Sequence, residues 1–356
     1  MIKMGIAGLG FMGMTHFVAA KHVPGLAVTA IATRDPVKRA GDWSGIQGNM
    51  GPRGDKATDL TGVTPYASLE EMLADPELEV IDVCLPTDQH LKGVIQCLEA
   101  GKHVFVEKPL AIDSKSARKM VDAALKAGKT LLVGHVLPFF PEFAFAAEAV
   151  QSGKYGRLLS GHFRRIISPP SWSSDMSELE RMGGPGVDLH IHDNHLIRLL
   201  FGMPETVSSI GHLNSGTLQQ VHTLYHYPQG GPTVSCVSGG ISASGMAFGH
   251  GFEIFFEQAT LQFDAGTYAG EWVVNRPLSV IDQAGKVHFP ELEAGARWSA
   301  PFEAELKVMV DAIAHGKKSG ALEADYALQA LYLCEAELES VKTGKTVKLP
   351  AAEHFT

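Results

Sequence analysis

MIKMGIAGLGFMG, residues 1–13, runs from an apolar stretch into three glycines at positions 8, 10 and 13. IKMGIAGL (2–9) has the unbroken hydrophobicity of a strand buried on both faces, and a helix is expected at about 11–22. Gly8-Leu9-Gly10-Phe11-Met12-Gly13 thus stands between a strand and a helix. In that setting the first glycine permits a tight turn, the second lets backbone approach a pyrophosphate, and the third allows close helix–strand packing. The helix start adds unpaired N–H groups and a partial positive charge. Strand, glycine turn and helix together predict a dinucleotide-binding turn, with Phe11 and Met12 among the residues facing the ligand.

The alternation continues. Strands are expected at AVTAIAT (27–33), VIDVCL (80–85), HVFVE (103–107) and TLLVGH (130–135), with helices at about 68–74, 88–100 and 113–127. Ser68 is placed to cap the first of these helices, and Gly101 and Gly128 to end the other two. Such alternation makes a parallel sheet covered by helices, here an α/β, doubly wound Rossmann domain over residues 1–137. For NAD the second strand should end in an acid that accepts from the ribose 2′-hydroxyl. Thr33 and Arg34 stand there instead, a hydroxyl and a guanidinium suited to a 2′-phosphate. NADP is therefore the expected cofactor, with NAD as the alternative through Asp35.

After His135 the pattern changes. A helix at 140–152 and a strand at 157–167 precede a Pro/Ser-rich loop at 168–182. Another helix follows, and strand-like segments then crowd together from 205 to about 290. This predicts an α+β domain over 138–356 with a large, mostly antiparallel open sheet. Two amphipathic helices, at about 302–315 and 325–342, are expected to pack back on the first domain. GDWSGIQGNMGPRGD (41–55) holds five glycines and reads as an ordered surface loop. Its other reading is a flap over a ligand or a neighbouring subunit, using Trp43 or Arg53.

Bulk properties bound the function. A chain of 356 residues with 45% apolar and 19% charged residues suits two globular domains. A net charge of −9 gives no electrostatic footprint for nucleic acid. No apolar run approaches the ~18–20 residues that span a bilayer, and the N-terminus lacks signal-peptide features. Cys84, Cys97, Cys236 and Cys334 are scattered without a CxxC pair, which argues for reduced thiols in a cytoplasmic protein.

Pro86-Thr87 with His90, then AGKHVFVEKPLA (100–111), resembles the Gfo/Idh/MocA family of nucleotide-dependent sugar oxidoreductases. Glu107-Lys108-Pro109 is its most characteristic piece, and Asp188-x-x-x-His192 after a glycine-rich lead-in is the second. The resemblance covers nearly the whole chain. It implies NAD(P) chemistry on a hydroxyl of a sugar, polyol or related compound. It also implies cofactor contacts at Pro86, Thr87, His90, Glu107 and Lys108, and a homodimer or homotetramer formed through the open sheet. Two departures bear on the substrate: His195 stands where many relatives have Asp, and the 41–55 loop replaces a shorter helix.

GGPGVDLHIHDNH (183–195) concentrates the candidate chemistry. On a helix from about 187, Asp188, His192 and His195 share one face and His190 points away, which suits a structural role for His190. Alcohol oxidation needs a base with a pKa near neutrality, the part His192 can play. Asp188 then orients it or holds a neighbouring hydroxyl, and Lys108 stabilises developing alkoxide charge. The residues aligned with these three form the family's catalytic centre. His135, Arg165, Trp172 and His195 are candidate substrate contacts. His190 and His192 diverge on a helix, although His192, His195 and Asp188 together could still bind a metal; no metal is expected, mainly because the nucleotide fingerprint would then lack a purpose, and a metal-dependent hydrolase is the weaker reading. The remaining alternatives are a lyase or glycoside hydrolase cycling a tightly held NAD, and a non-catalytic sensor of nucleotide or sugar.

Overall fold

Val, Ile, Leu and Ala fill the short runs that become β1 (Ile2–Ala7), β2 (Leu26–Ala32), β4 (Val80–Val83), β5 (His103–Glu107) and β6 (Leu131–Gly134), and β3 (Thr64–Tyr66) adds an edge. All pair in parallel, in the order β3-β2-β1-β4-β5-β6. The connecting helices are α1 (Phe11–Ala20), α2 (Pro36–Arg39), α3 (Leu69–Leu73), α4 (Thr87–Glu99) and α5 (Ser114–Ala127). Ser68 accepts from the Glu71 N–H to cap α3, and Gly128 ends α5 at φ +62°. β3 and α2 escaped sequence reading because each is too short to carry a period.

This computed structural model describes residues 1–48, 50–168, 184–292 and 297–350. The chain divides into two units, Met1–Phe139 with Ala294–Leu328, and Phe140–Glu293 with Gln329–Thr356. In the first unit α9 (Ala300–His315) lies on α1. Phe302, Leu306 and Met309 join Ile6, Phe17 and Phe105 in one buried core. Trp43, offered by the sequence as a possible flap residue, belongs to that core: it is 1% exposed, meets Phe17 edge-on and donates Nε1–H to the Lys38 carbonyl at 2.9 Å. The 41–55 segment is thereby pinned down rather than hung over a ligand by its tryptophan.

The second unit carries α6 (Pro141–Ser152), β7 (Leu158–Ile167), α7 (Pro185–Asp188) and α8 (Ile191–Phe201). Strands β8 (Thr206–Asn214), β9 (Thr217–His226), β10 (Thr233–Gly240), β11 (Met246–Phe256), β12 (Ala259–Tyr268), β13 (Glu271–Asp282) and β14 (Val287–His288) follow. α10 (Ala324–Thr343) and β15 (Val347–Lys348) close the chain. The sheet order is β14-β13-β12-β11-β7-β10-β9-β8-β15, antiparallel throughout except for β7 with β10. Ser215 and Gly216 take positive φ (49° and 83°), as the two-residue hairpin between β8 and β9 requires.

One expectation needs correction. The segment from 187 is not a single helix: α7 stops at Asp188 and α8 starts at Ile191. The N–H groups of Leu189 and His190 both point to the Pro185 carbonyl, each at 3.2 Å, so the chain widens there before α8 resumes. Asp188 and His192 therefore sit on successive short helices.

Backbone contact governs the β1–α1 turn. A Cβ on Gly13 would collide with the Gly8 carbonyl oxygen, whereas one on Gly10 would meet nothing within 4 Å. Gly13→Ala is expected to cost about 3 kcal/mol or more and Gly10→Ala under about 1 kcal/mol, by urea denaturation. Equal costs would refute this account of the turn.

Candidate active site

The first unit gathers its candidate residues at the carboxyl ends of its strands. Gly8, at φ +101°, backs directly onto Cys84; a side chain would bring its Cβ within 2.5 Å of that carbonyl oxygen. α1 begins at Gly10 with no side-chain cap, which leaves its first N–H groups to an outside acceptor. With the open face of Gly10, the turn fits an anionic dinucleotide at the switch point between β1 and β4. Phe11 and Met12 are half-buried beside it.

At the end of β2, Thr33 Oγ1 accepts from the Asp35 N–H at 3.3 Å, and Arg34 is exposed. Asp35 Oδ1 accepts from the N–H of Val37 at 2.9 Å, capping α2. Lys38, one turn further on, sends Nζ back to the Leu9 carbonyl at 2.8 Å. That places a cation at the glycine turn, a residue the sequence reading missed because α2 itself was missed.

At the ends of β4 and β5, Pro86 immediately precedes α4 without a side-chain capping bond, and Thr87 is buried. His90 braces the wall: its Nδ1 faces the Pro109 carbonyl at 2.9 Å and its Nε2 the Leu85 carbonyl at 2.8 Å. Burial pushes its imidazole below the ordinary histidine range. Glu107 Oε2 accepts the N–H of Lys108 at 3.0 Å. Lys108 precedes a cis Pro109, and His135 is buried at the end of β6.

Behind this wall lies a charge cluster that sequence reasoning did not single out. His16 of α1 has Nδ1 2.8 Å from Asp82 Oδ2 and Nε2 3.3 Å from Glu107 Oε1. The Cys84 thiol donates to Asp82 Oδ1 at 3.3 Å. Burial works against the imidazolium, but the Asp82 carboxylate and the Cys84 sulfur outweigh it and hold His16 well above its usual range. A visible signal existed: Asp82 interrupts a strand that is otherwise wholly apolar.

In the second unit Asp188 and His192 are half-buried and His195 is fully buried. The opposite side of α8 is polar too. His190 Nε2 meets Glu337 Oε2 of α10 at 2.9 Å, and Asn194 Nδ2 reaches the same oxygen at 2.7 Å. The Tyr225 hydroxyl lies 2.8 Å from Glu337 Oε1. Arg165, expected as a substrate contact, is 4% exposed and donates Nε–H to Asp193 Oδ1 at 3.0 Å. Trp172 lies outside the described residues.

Burial again opposes the His190 imidazolium, and Glu337 more than offsets it, holding the pKa well above its usual range. Burial would raise the Asp193 carboxyl, but Arg165 and His190 hold it below its ordinary value. The groups His16–Asp82–Cys84 and His190–Asp193–Cys236 each bring three potential metal-ligand atoms within 4.8 Å of one another. In the first set those atoms already bond to each other.

Comparison with known proteins fits this geometry. The profile of the Gfo/Idh/MocA oxidoreductase family, NAD-binding Rossmann fold, matches residues 2–135, and that of the family's C-terminal domain matches 143–262. The chain belongs to this family. The myo-inositol 2-dehydrogenase of Thermotoga maritima is 28% identical over 203 residues, 56% of this chain and 55% of that protein. The match covers 53% of an uncharacterized oxidoreductase of Streptococcus pneumoniae and 72% of one of Rhizobium meliloti. Solved structures share the fold. An oxidoreductase from Agrobacterium radiobacter in complex with NAD+, L-tartaric acid and magnesium superposes with a TM-score of 0.77 at 19% identity, covering 98% of each chain. A putative NADPH-dependent oxidoreductase from Desulfitobacterium hafniense gives 0.79 at 18% identity, covering 98% of this chain and 97% of that one. Among the described residues no helix is long and apolar enough to cross a membrane.

The raised His190 pKa has a consequence for stability. Its imidazolium contributes in full below the unfolded value of 6.5, and the contribution is lost as pH rises through the higher folded value. Glu337→Gln removes the partner charge, so wild type should exceed the variant by about 3 kcal/mol near pH 6.5. The gap should narrow towards pH 10 in denaturation series; a gap that widens would contradict the assignment.

Proposed function

We propose that the protein is an NAD(P)-dependent dehydrogenase acting on a secondary hydroxyl of a sugar, polyol or related compound, with NADP preferred. The observation that carries the cofactor reading is the end of β2. Asp35 is engaged in capping α2, while exposed Arg34 and half-buried Lys38 supply positive charge beside the glycine turn. A carboxylate held that way is poorly placed to accept from a ribose hydroxyl, and a 2′-phosphate there meets a guanidinium and an ammonium. Family membership and the inositol dehydrogenase among its relatives support the substrate class.

In this reading the nicotinamide, when bound, accepts or returns the hydride. His192 takes the hydroxyl proton, Asp188 orients that imidazole or holds a neighbouring hydroxyl, and Lys108 stabilises the oxygen as it becomes an alkoxide. His135 and His195 contact substrate. Arg165 acts from behind, through Asp193 on α8. The exposed apolar residues Ile210, Leu224 and Trp272 on the large sheet support self-association of copies through that sheet.

Two measurements test this. Side-by-side titration should show NADP+ binding more tightly than NAD+, with Arg34→Ala or Lys38→Ala weakening NADP+ about tenfold and NAD+ little. Tightly retained NAD(H) in the purified protein would instead favour the internal oxidation–reduction cycle. On the best substrate from a panel of inositols, aldoses and polyols, His192→Ala and Lys108→Ala should each lower kcat about 100-fold or more. Folded variants with near-normal turnover would remove the catalytic assignment.

A further inference from the structure

The described residues of the 41–55 segment lie along one face of α1. Phe11, Met14 and Phe17 recur every three residues on that helix and so form a stripe, and each meets a different part of the segment. A Cβ on Gly48 would strike the Phe11 ring, and one on Gly54 would come within 3.0 Å of Met14 Sδ. Trp43 meets Phe17 with ring centroids 4.8 Å apart. Backbone bonds staple the base of the segment. The Trp43 N–H donates to the Asp55 carbonyl at 2.8 Å, the Gly54 N–H to the Ile46 carbonyl at 3.2 Å, and the Thr58 N–H to the Gly41 carbonyl at 2.8 Å. Further out, a Cβ on Gly51 would meet the Trp298 indole at 2.7 Å.

Gly48 is the contact that bears on a ligand. It does not take a positive φ, so only the Phe11 ring keeps a side chain from that position. Gly45, in the same segment, is different: a Cβ there would meet nothing within 4 Å. Phe11 is the first residue of α1, directly after the uncapped Gly10. Its N–H is one of those that no helix carbonyl receives, and it belongs to the cradle for the pyrophosphate. Pushing its ring aside tilts the turn that carries the cradle. A segment with five glycines also loses much conformational freedom on ordering, so its seat on α1 is held by few contacts against a large entropy.

We propose that the 41–55 segment braces the first turn of α1 for the nucleotide, with Gly48 as the positioning residue. Seated on Phe11, it holds the N–H groups of that turn where the pyrophosphate needs them, and a bound nucleotide in turn holds the segment on the helix. Seating and binding favour each other by the same factor. Arg53 makes the seating visible from outside, because it is exposed and stands next to Gly54, which packs on Met14. The segment takes no part in hydride transfer. This inference rests on the nucleotide binding of the proposed function, and on nothing about the substrate.

The experiment is calorimetric titration of the whole protein with NADP+, or with NAD+ if that binds more tightly. Wild type is compared with Gly48→Ala, Gly45→Ala, Phe11→Ala and the double variant of Gly48 and Phe11. Gly48→Ala should weaken binding about fivefold or more, while Gly45→Ala leaves it unchanged. In the Phe11→Ala background the Gly48→Ala change should cost under about twofold, because the ring it would strike is gone. Wild-type affinity in Gly48→Ala, or the same cost in both backgrounds, overturns the proposal. If Gly48→Ala fails to fold, wild type alone carries the test: saturating nucleotide should slow tryptic cleavage after Arg53 about fivefold or more, followed by mass. Tight binding that leaves this cleavage rate unchanged overturns the proposal. Absence of binding by either nucleotide overturns the nucleotide reading itself.

Discussion

The close approach of α1 to β1 is the constraint from which the first unit is built. With no side chain on Gly13, the helix backbone touches the Gly8 carbonyl, and with none on Gly8 the turn touches Cys84 at the end of β4. That double contact aims the uncapped start of α1 into the crevice at the switch point. It also fixes what lies one turn along the helix. His16, three residues after Gly13, is carried to the gap between β4 and β5, where it meets Asp82 and Glu107. Glycine contact and buried imidazolium are thus two results of one packing distance.

The second unit solves a related problem on α8. This helix presents His192, half-buried, while His190, Asp193 and Asn194 are buried against β7, β9 and α10. Apolar residues would have packed that side at lower risk, since an incompletely paired polar core costs more than a greasy one. What the polar side supplies is azimuth. Glu337 receives His190 and Asn194 from one helix and Tyr225 from a strand, so rotating α8 would strand several charges or dipoles at once.

Much of the fold was legible because its signals are local. Gly8, Gly10 and Gly13 between two periodicities, the Ser68 cap and the Gly128 stop each depend on a few neighbouring residues, and the structure uses them so. Elements that carry no period were lost, as with α2, and Lys38 was lost with it. The candidate site was legible only where residues are exceptional in type, as with Lys108 or the histidines of 188–195. Glu305, Glu337 and Asp82 are common acids whose meaning comes from partners dozens or hundreds of residues away. The break at Leu189–His190 was hidden because Pro185 both starts α7 and attracts two N–H groups, a competition that spacing alone does not reveal.

The two buried clusters differ in a way that bears on what each is for. In the second unit the charges balance: Arg165 with Asp193, and His190 with Glu337. A set whose charges balance has little to gain from an incoming charge, which suits a device that holds a helix still. In the first unit His16 answers two acids and leaves Glu305 over, buried and without a donor. An unpaired acid cannot rigidify its surroundings, since it makes no directional bond.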